Sequence, residues 1–312
     1  MSTMPKRVTF REDGPREGFQ AIAEVVPTPK KLELIHALAE TGVTSIEVTS
    51  FVRPDRVPQL ADADELCRQL IKKPGVDFHA LTLNEKGFLR SLQHPSLTPI
   101  GFIMIAASEA FLKRNNNRTL DEAIAELPKT IEQFRAAQLP LSRLMISTAF
   151  GDALEGKKTS ADVLRVVVRA LKKLEENGAV PEEVTFADTT GWGNPESVTR
   201  LISEFRSTYP AIEVGLHLHD TRATGLPNLY AGLLCGVTRF DTSVAGLGGC
   251  PFAPGAAGNV ATEDAAFLCQ ELGIETGLNL ERYIECAKLA ERIVGHPLPG
   301  KLKSGGLLRM VS

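Results

Sequence analysis

"EEVTFADTTGWGNPESVTRLISEFRSTYPAIEVGLHLHD", residues 182–220, contains one strand, one helix and a second strand in a row. The segment "EEVTFADTT" (182–190) has the β-branched and apolar character of a buried strand, and "NPESVTRLISEFRSTY" (194–209) reads as the helix behind it. "AIEVGLHLHD" (211–220) is again a strand and stops on a turn-forming Asp. Two strands joined through a helix run parallel, because the crossover must return the chain to the same edge.

The same alternation extends in both directions. Upstream lie strands "RVTFRE" (7–12), "VTSIEVTSF" (43–51), "VDFHALTL" (76–83), "LTPIGFIMIAAS" (97–108) and "LSRLMISTAF" (141–150); downstream lies "RFDTSVAG" (239–246). Helical patterns follow at 27–42, 61–71, 84–93, 120–137, 160–178, 225–236 and 262–273, the first with Thr28 as N-cap, Pro29 at N1 and Gly42 past its end. Eight strand–helix units predict an α/β fold closed as a (β/α)8 TIM barrel, for which roughly 250 residues is typical. A doubly wound open sheet is the alternative, but no G-x-G-x-x-G follows the first strand. No Gly/Ser or Pro tract divides the chain. The reading is therefore one catalytic barrel over 1–285, with a C-terminal helix and tail over 286–312, "NLERYIECAKLAERIVGHPLP" (279–299) packing outside as one more helix.

Composition narrows the partners. Of 312 residues 43% are apolar and 23% charged, the profile of a globular protein, and a net charge of −3 gives no reason to expect nucleic acid or an anionic membrane. No apolar run approaches the length of a membrane span. The start "MSTMPKRVTF" leaves no room for a signal or transit peptide, the end "LLRMVS" carries no retention tag, and five scattered cysteines fit a reduced, cytoplasmic protein. A homodimer or higher homo-oligomer is expected.

Barrels keep their chemistry where the strands end. His217 and His219, one residue apart in a strand, point the same way. At the same end fall Arg11, Glu12 and Asp13, then Arg16, Glu17 and Gln20 of "GPREGFQ", Glu47 inside an apolar strand, Asp188 closing strand six, and Cys250 and Asn259 in the Gly-rich loop "VAGLGGCPFAPGAAGN" (244–259). Each has a bland reading: Glu47 as partner of Arg11 or Arg16 in a barrel plug, Asp188 as a cap. Convergence of five strands is the argument against dismissing them. Glu17, His217, His219 and Asn259 offer two imidazoles and two oxygens, a set suited to Mg2+ or Mn2+, with Zn2+ or Co2+ as alternatives.

These residues resemble the 3-hydroxy-3-methylglutaryl-CoA (HMG-CoA) lyase family of barrel metallolyases. The likeness runs from about 7 to about 285 and is most specific in "DTSVAGLGGCPFAPGAAGNVATEDAAFLCQELGIETGLNL" (241–280), more loosely in "TSFVRPDRVPQLADA" (49–63), "ASEAFLKRN" (107–115) and "GDALEGK" (151–157). The resemblance implies divalent-metal-dependent cleavage of a 3-hydroxyacyl-CoA into acetyl-CoA and a ketone or keto acid. It implies that Glu17, His217, His219 and Asn259 hold the metal and that Arg16 steadies the enolate oxygen. Glu12 and Glu47 match acidic positions of the family, and Cys250 takes part in proton transfer. Asp188 joins them as a catalytic candidate; Gln20 and Arg222 are the candidates for gripping the acyl-CoA.

Four departures bear on the substrate. The metal-binding Asp is Glu17; "NEK" after Gln20 is "AIA" (21–23); "DTYGQ" is "DTRAT", which introduces Arg222; and "FVSPKWVPQ" is "FVRPDRVPQ", which introduces Arg53 and Arg56. They shift the expected best substrate from HMG-CoA toward a related branched acid thioester such as citramalyl-CoA. A condensing enzyme or aldolase of the same superfamily, and a catalytically silent binding barrel, are the rival readings.

Overall fold

The structure, a computed structural model, describes residues 4–249 and 258–308. Its main sheet has eight parallel strands: β1 (Thr9–Glu12), β2 (Ser45–Ser50), β3 (Asp77–Leu81), β4 (Gly101–Ala106), β5 (Leu141–Ser147), β6 (Glu183–Ala187), β7 (Glu213–His217) and β8 (Arg239–Thr242). Their spatial order is β3-β2-β1-β8-β7-β6-β5-β4, so the first strand lies beside the last. That adjacency is the mark of a closed barrel and excludes the doubly wound alternative. Between β3 and β4 no ladder forms among the described residues, and the seam carries a bond from Thr98 N to Phe78 O at 2.7 Å.

Helices cover the outside much as the patterns predict, but Glu109–Asn116 is a helix the patterns missed, and two further adjustments are needed. The single helix expected over 120–137 is two, Leu120–Ala125 and Leu127–Ala136, because Pro128 lacks an N–H and starts a new helix instead of continuing the old one. Thr28 is not an N-cap: the helix Thr28–Ala39 begins at it, and its hydroxyl donates to Asp62 at 2.7 Å. The C-terminal helix spans Leu280–Val294 behind an Asn279 cap, so the boundary drawn between 285 and 286 falls inside it. This helix is part of the body, since Tyr283 on its inner face is fully buried and donates to Glu12 at 2.9 Å.

Ion pairs fill part of the barrel interior, where such folds usually place branched aliphatic side chains. Arg11 of β1 donates to both oxygens of Glu183 and, at 2.7 Å, to Asp241. Arg143 of β5 contacts Asp241 and Thr185, and Arg239 contacts Glu183. Gly215 makes room for this cluster, because a Cβ there would come within 2.1 Å of Glu183 Oε1. Burying so many charges is tolerable only because each is paired.

Candidate active site

Register sets the first level of the site. Arg11, Asp241 and His217 stand side by side on β1, β8 and β7. Beyond His217 the chain leaves the sheet but stays extended, and residues 258–260 return beside it. Asp220 N donates to Gly258 O, Val260 N donates to Leu218 O, and His219 pairs with Asn259 in an antiparallel bridge. Two distant stretches thus bring His219 and Asn259 together. From the β1 side, two strands away, a tight helical turn over Gly14–Gly18 delivers Arg16 and Glu17.

His217 Nε2 lies 3.2 Å from His219 Nε2, and Glu17 Oε1 lies 3.2 Å from His219 Nε2 and 3.6 Å from His217 Nε2. Asn259 is 1% exposed, and neither its amide oxygen nor its nitrogen has a partner among the described residues. Orphaned buried amides are costly. A divalent cation fits this donor set: two imidazoles and a carboxylate converge, Asn259 is bridged to His219, and a cation would give its stranded amide oxygen a partner. The electrostatics point the same way. Burial would push the Glu17 carboxyl up, but His217 and Arg16 outweigh it and hold it well below its usual range. Burial would likewise lower His217, yet the Glu17 charge and hydrogen bonds with Asp13 and Asp241 raise it well above the usual imidazole value. The cavity favours positive charge.

Arg16 bridges Glu17 at 3.1 Å and Glu47, whose carboxyl burial pushes above its ordinary value. Of the two bland readings for Glu47, the pair with Arg16 is the one that forms, and it forms at the mouth. Asp13 lies here too, its Oδ2 3.5 Å from His217 Nδ1.

Glu12, Gln20 and Arg222 lie away from this cluster. Glu12 points to the other side of the sheet from Arg11, into the layer beneath the C-terminal helix. There it accepts from Gly14 N, Val244 N, Thr262 and Tyr283 at 2.8–2.9 Å, which ties the β1 and β8 loops together. Asp188 faces the histidines, but its two oxygens accept from Trp192 N and Gly193 N, so it also shapes its own turn. Gln20 is exposed. Arg222 is exposed and held in place by two bonds from Nη1 to the carbonyls of Thr190 and Gly191, both 3.1 Å. Arg53 is no free cation: it pairs with Asp55 at 2.6 Å on the surface. Cys250 lies outside the described residues. The loop leading to it is placed, with Leu247 against Gly18 and Gly249 against Ala21, so it starts over the β1 loop.

Asp241, Arg143 and Glu183 were not selected from sequence, and Asp13 was placed at the catalytic end without a role. A signal existed for Asp13: it shares the inward face with Arg11, two residues earlier, whereas Glu12 between them must face out.

A second buried acid supports the loop after β8. Glu263 accepts from Ala245 N at 2.9 Å while its other oxygen has no partner among the described residues, and burial lifts its carboxyl from 4.5 to about 8. The unfolded chain therefore ionises at lower pH than the folded one. Stability should fall as pH rises from about 4.5 to about 8 and level off above that. Glu263→Gln, which keeps the shape but cannot ionise, should be more stable than the parent at pH 8 and closer to it at pH 5, read as urea midpoints.

The HMGL-like family model matches residues 7–290. The chain belongs to the HMGL-like family. Hydroxymethylglutaryl-CoA lyase, mitochondrial, from Bos taurus is 40% identical over 285 residues, which is 91% of this chain and 85% of the relative. The solved HMG-CoA lyase of Bacillus subtilis superposes with a TM-score of 0.88 at 35% identity, covering 96% of this chain and 98% of that one. An HMG-CoA lyase from Acinetobacter baumannii, in complex with coenzyme A and 3-methylmalate, gives 0.86 at 32% identity over 100% of both chains. The HMGL-like barrel is thus the fold predicted by the strand–helix alternation. Among the described residues no helix is long and apolar enough to cross a membrane.

Proposed function

We propose that this HMGL-like chain is a divalent-metal-dependent carbon–carbon lyase that splits HMG-CoA, or a closely related branched 3-hydroxyacyl-CoA, into acetyl-CoA and a keto acid. The observation that carries the reading is the meeting of Glu17, His217 and His219 with an Asn259 side chain buried without a partner among the described residues. Glu17, His217, His219 and Asn259 would hold the ion, with Mg2+ or Mn2+ the natural choices for a nitrogen–oxygen set without thiolate. A bound divalent ion supplies positive charge where substrate oxygens become negative.

The chain's own residues account for the rest. Glu47, with its raised carboxyl, takes the proton of the C3 hydroxyl as the C2–C3 bond breaks. The bonding pair moves to the thioester half as an enolate, whose oxygen Arg16 steadies. Cys250 of the Gly-rich loop returns a proton to C2. Gln20 and Arg222 face the acyl-CoA from the rim, and Asp188 holds the β6 turn beside the histidines. The protein works in the cytoplasm as a homo-oligomer, by this reading.

Of the three new arginines, Arg53 pairs with Asp55, which leaves Arg56 and Arg222 to set acyl preference. Three hydrogens of Arg222, on Nε and Nη2, are not needed for its carbonyl bonds and suit a substrate carboxylate; the solved A. baumannii relative is in complex with a hydroxy diacid, 3-methylmalate, which supports this reading. A panel of HMG-CoA, citramalyl-CoA and longer branched analogues, read as acetyl-CoA release with Mn2+ or Mg2+, tests the function. Release from at least one thioester is expected, and none from any would contradict it. Arg222→Ala should lower kcat/KM for the preferred thioester by about 10- to 100-fold, as loss of one charge-assisted hydrogen bond would. An unchanged value removes Arg222 from the site.

A further inference from the structure

We infer that Asp241 is a positioning residue that fixes the ring of His217, so that Nδ1 carries the hydrogen and Nε2 is presented to the cation. Asp241 Oδ2 lies 3.3 Å from His217 Nδ1, and the two residues are register partners on neighbouring strands. Asp13 Oδ2 approaches the same nitrogen at 3.5 Å from the β1 side. Nδ1 therefore faces only acceptors, and a neutral imidazole has one donor and one acceptor nitrogen. With the hydrogen at Nδ1, the lone pair is at Nε2, the atom that meets His219 and Glu17.

Asp241 cannot readily turn away. Arg11 Nε holds its Oδ1 at 2.7 Å, and Arg143 holds its Oδ2 from below. The interior ion cluster is thus continuous with the site: Glu183 anchors Arg11, Arg11 and Arg143 orient Asp241, and Asp241 orients His217. The buried charges of the barrel have a use beyond filling space. A carboxylate behind a metal-binding histidine typically changes metal affinity by about 10- to 100-fold when removed.

The inference rests on the metal reading above, and the test separates the two. Mn2+ affinity is measured by electron paramagnetic resonance of the free ion, alongside thermal unfolding, for the parent, Asp241→Asn and Glu183→Gln. Glu183→Gln loosens the same arginines without touching His217, so it acts on the ring only indirectly, through Asp241. Asp241→Asn should bind Mn2+ about 10- to 100-fold more weakly than the parent, and Glu183→Gln, one step further back, should weaken binding by less than Asp241→Asn does, whatever its melting temperature. If Asp241→Asn fails to fold, the parent decides. With 15N-labelled histidine and Mg2+ or Zn2+ bound, the His217 Nδ1–H proton should resonate far downfield and exchange slowly. Equal Mn2+ affinity in Asp241→Asn and parent, or hydrogen at Nε2 in the loaded parent, overturns the inference. A parent that binds no Mn2+ overturns the metal reading itself.

Discussion

His217→Ala/His219→Ala protein should bind no stoichiometric Mn2+ and should release acetyl-CoA about 10³- to 10⁴-fold more slowly than the parent, several kcal/mol of lost charge stabilisation at about 1.4 kcal/mol per decade. The fold should survive. Both rings stand at the top of the barrel, above the interior ion cluster, while the apolar Leu216 and Phe240 of the same strands pack outward against the helix at Gly232. Removing His217 also frees Asp241 and Asp13 of a partner, so a modest change in melting temperature is expected with it. Electron paramagnetic resonance of Mn2+ and circular dichroism check the two halves. Stoichiometric Mn2+ in the double variant would remove the histidines from the site.

Arg16→Gln has the next largest expected effect, a fall in kcat of about 10²- to 10³-fold with the metal retained, comparable to losing one preorganised donor to a developing oxyanion. Arg16 is placed for that role by the tight turn over Gly14–Gly18 and by its bonds to Glu17 and Glu47. Its loss also removes the counter-charge of Glu47, so the proton step suffers as well. A KM effect with unchanged kcat would show that Arg16 merely binds substrate.

The barrel was legible because its signal is local. Each strand–helix unit writes its own pattern, and β1 beside β8 follows once there are eight of them. Errors sit where a single residue overrides the pattern, as Pro128 does in splitting one helix. The histidine pair was legible for the same reason: strand periodicity alone aligns His217 with His219. Asn259 came from the resemblance and from its loop, and the bridge to His219 explains its place. The interior ion cluster was not legible, because Arg11 and Glu183 are 172 residues apart and Arg143 and Asp241 98. No pattern within one element pairs charges across a barrel. Glu12 was drawn into the site by its place at the end of strand one and by the family resemblance, whereas strand alternation places it behind the sheet, with Tyr283.

The central claim is that bond cleavage by this chain depends on a divalent ion at the His217–His219 mouth. Its most direct test is acetyl-CoA release from HMG-CoA by chelator-stripped protein, titrated back with Mn2+ while the bound ion is counted. Activity that is absent without the ion and reaches its plateau at one Mn2+ per chain is the predicted result. Undiminished release from protein shown to hold no divalent ion would contradict it.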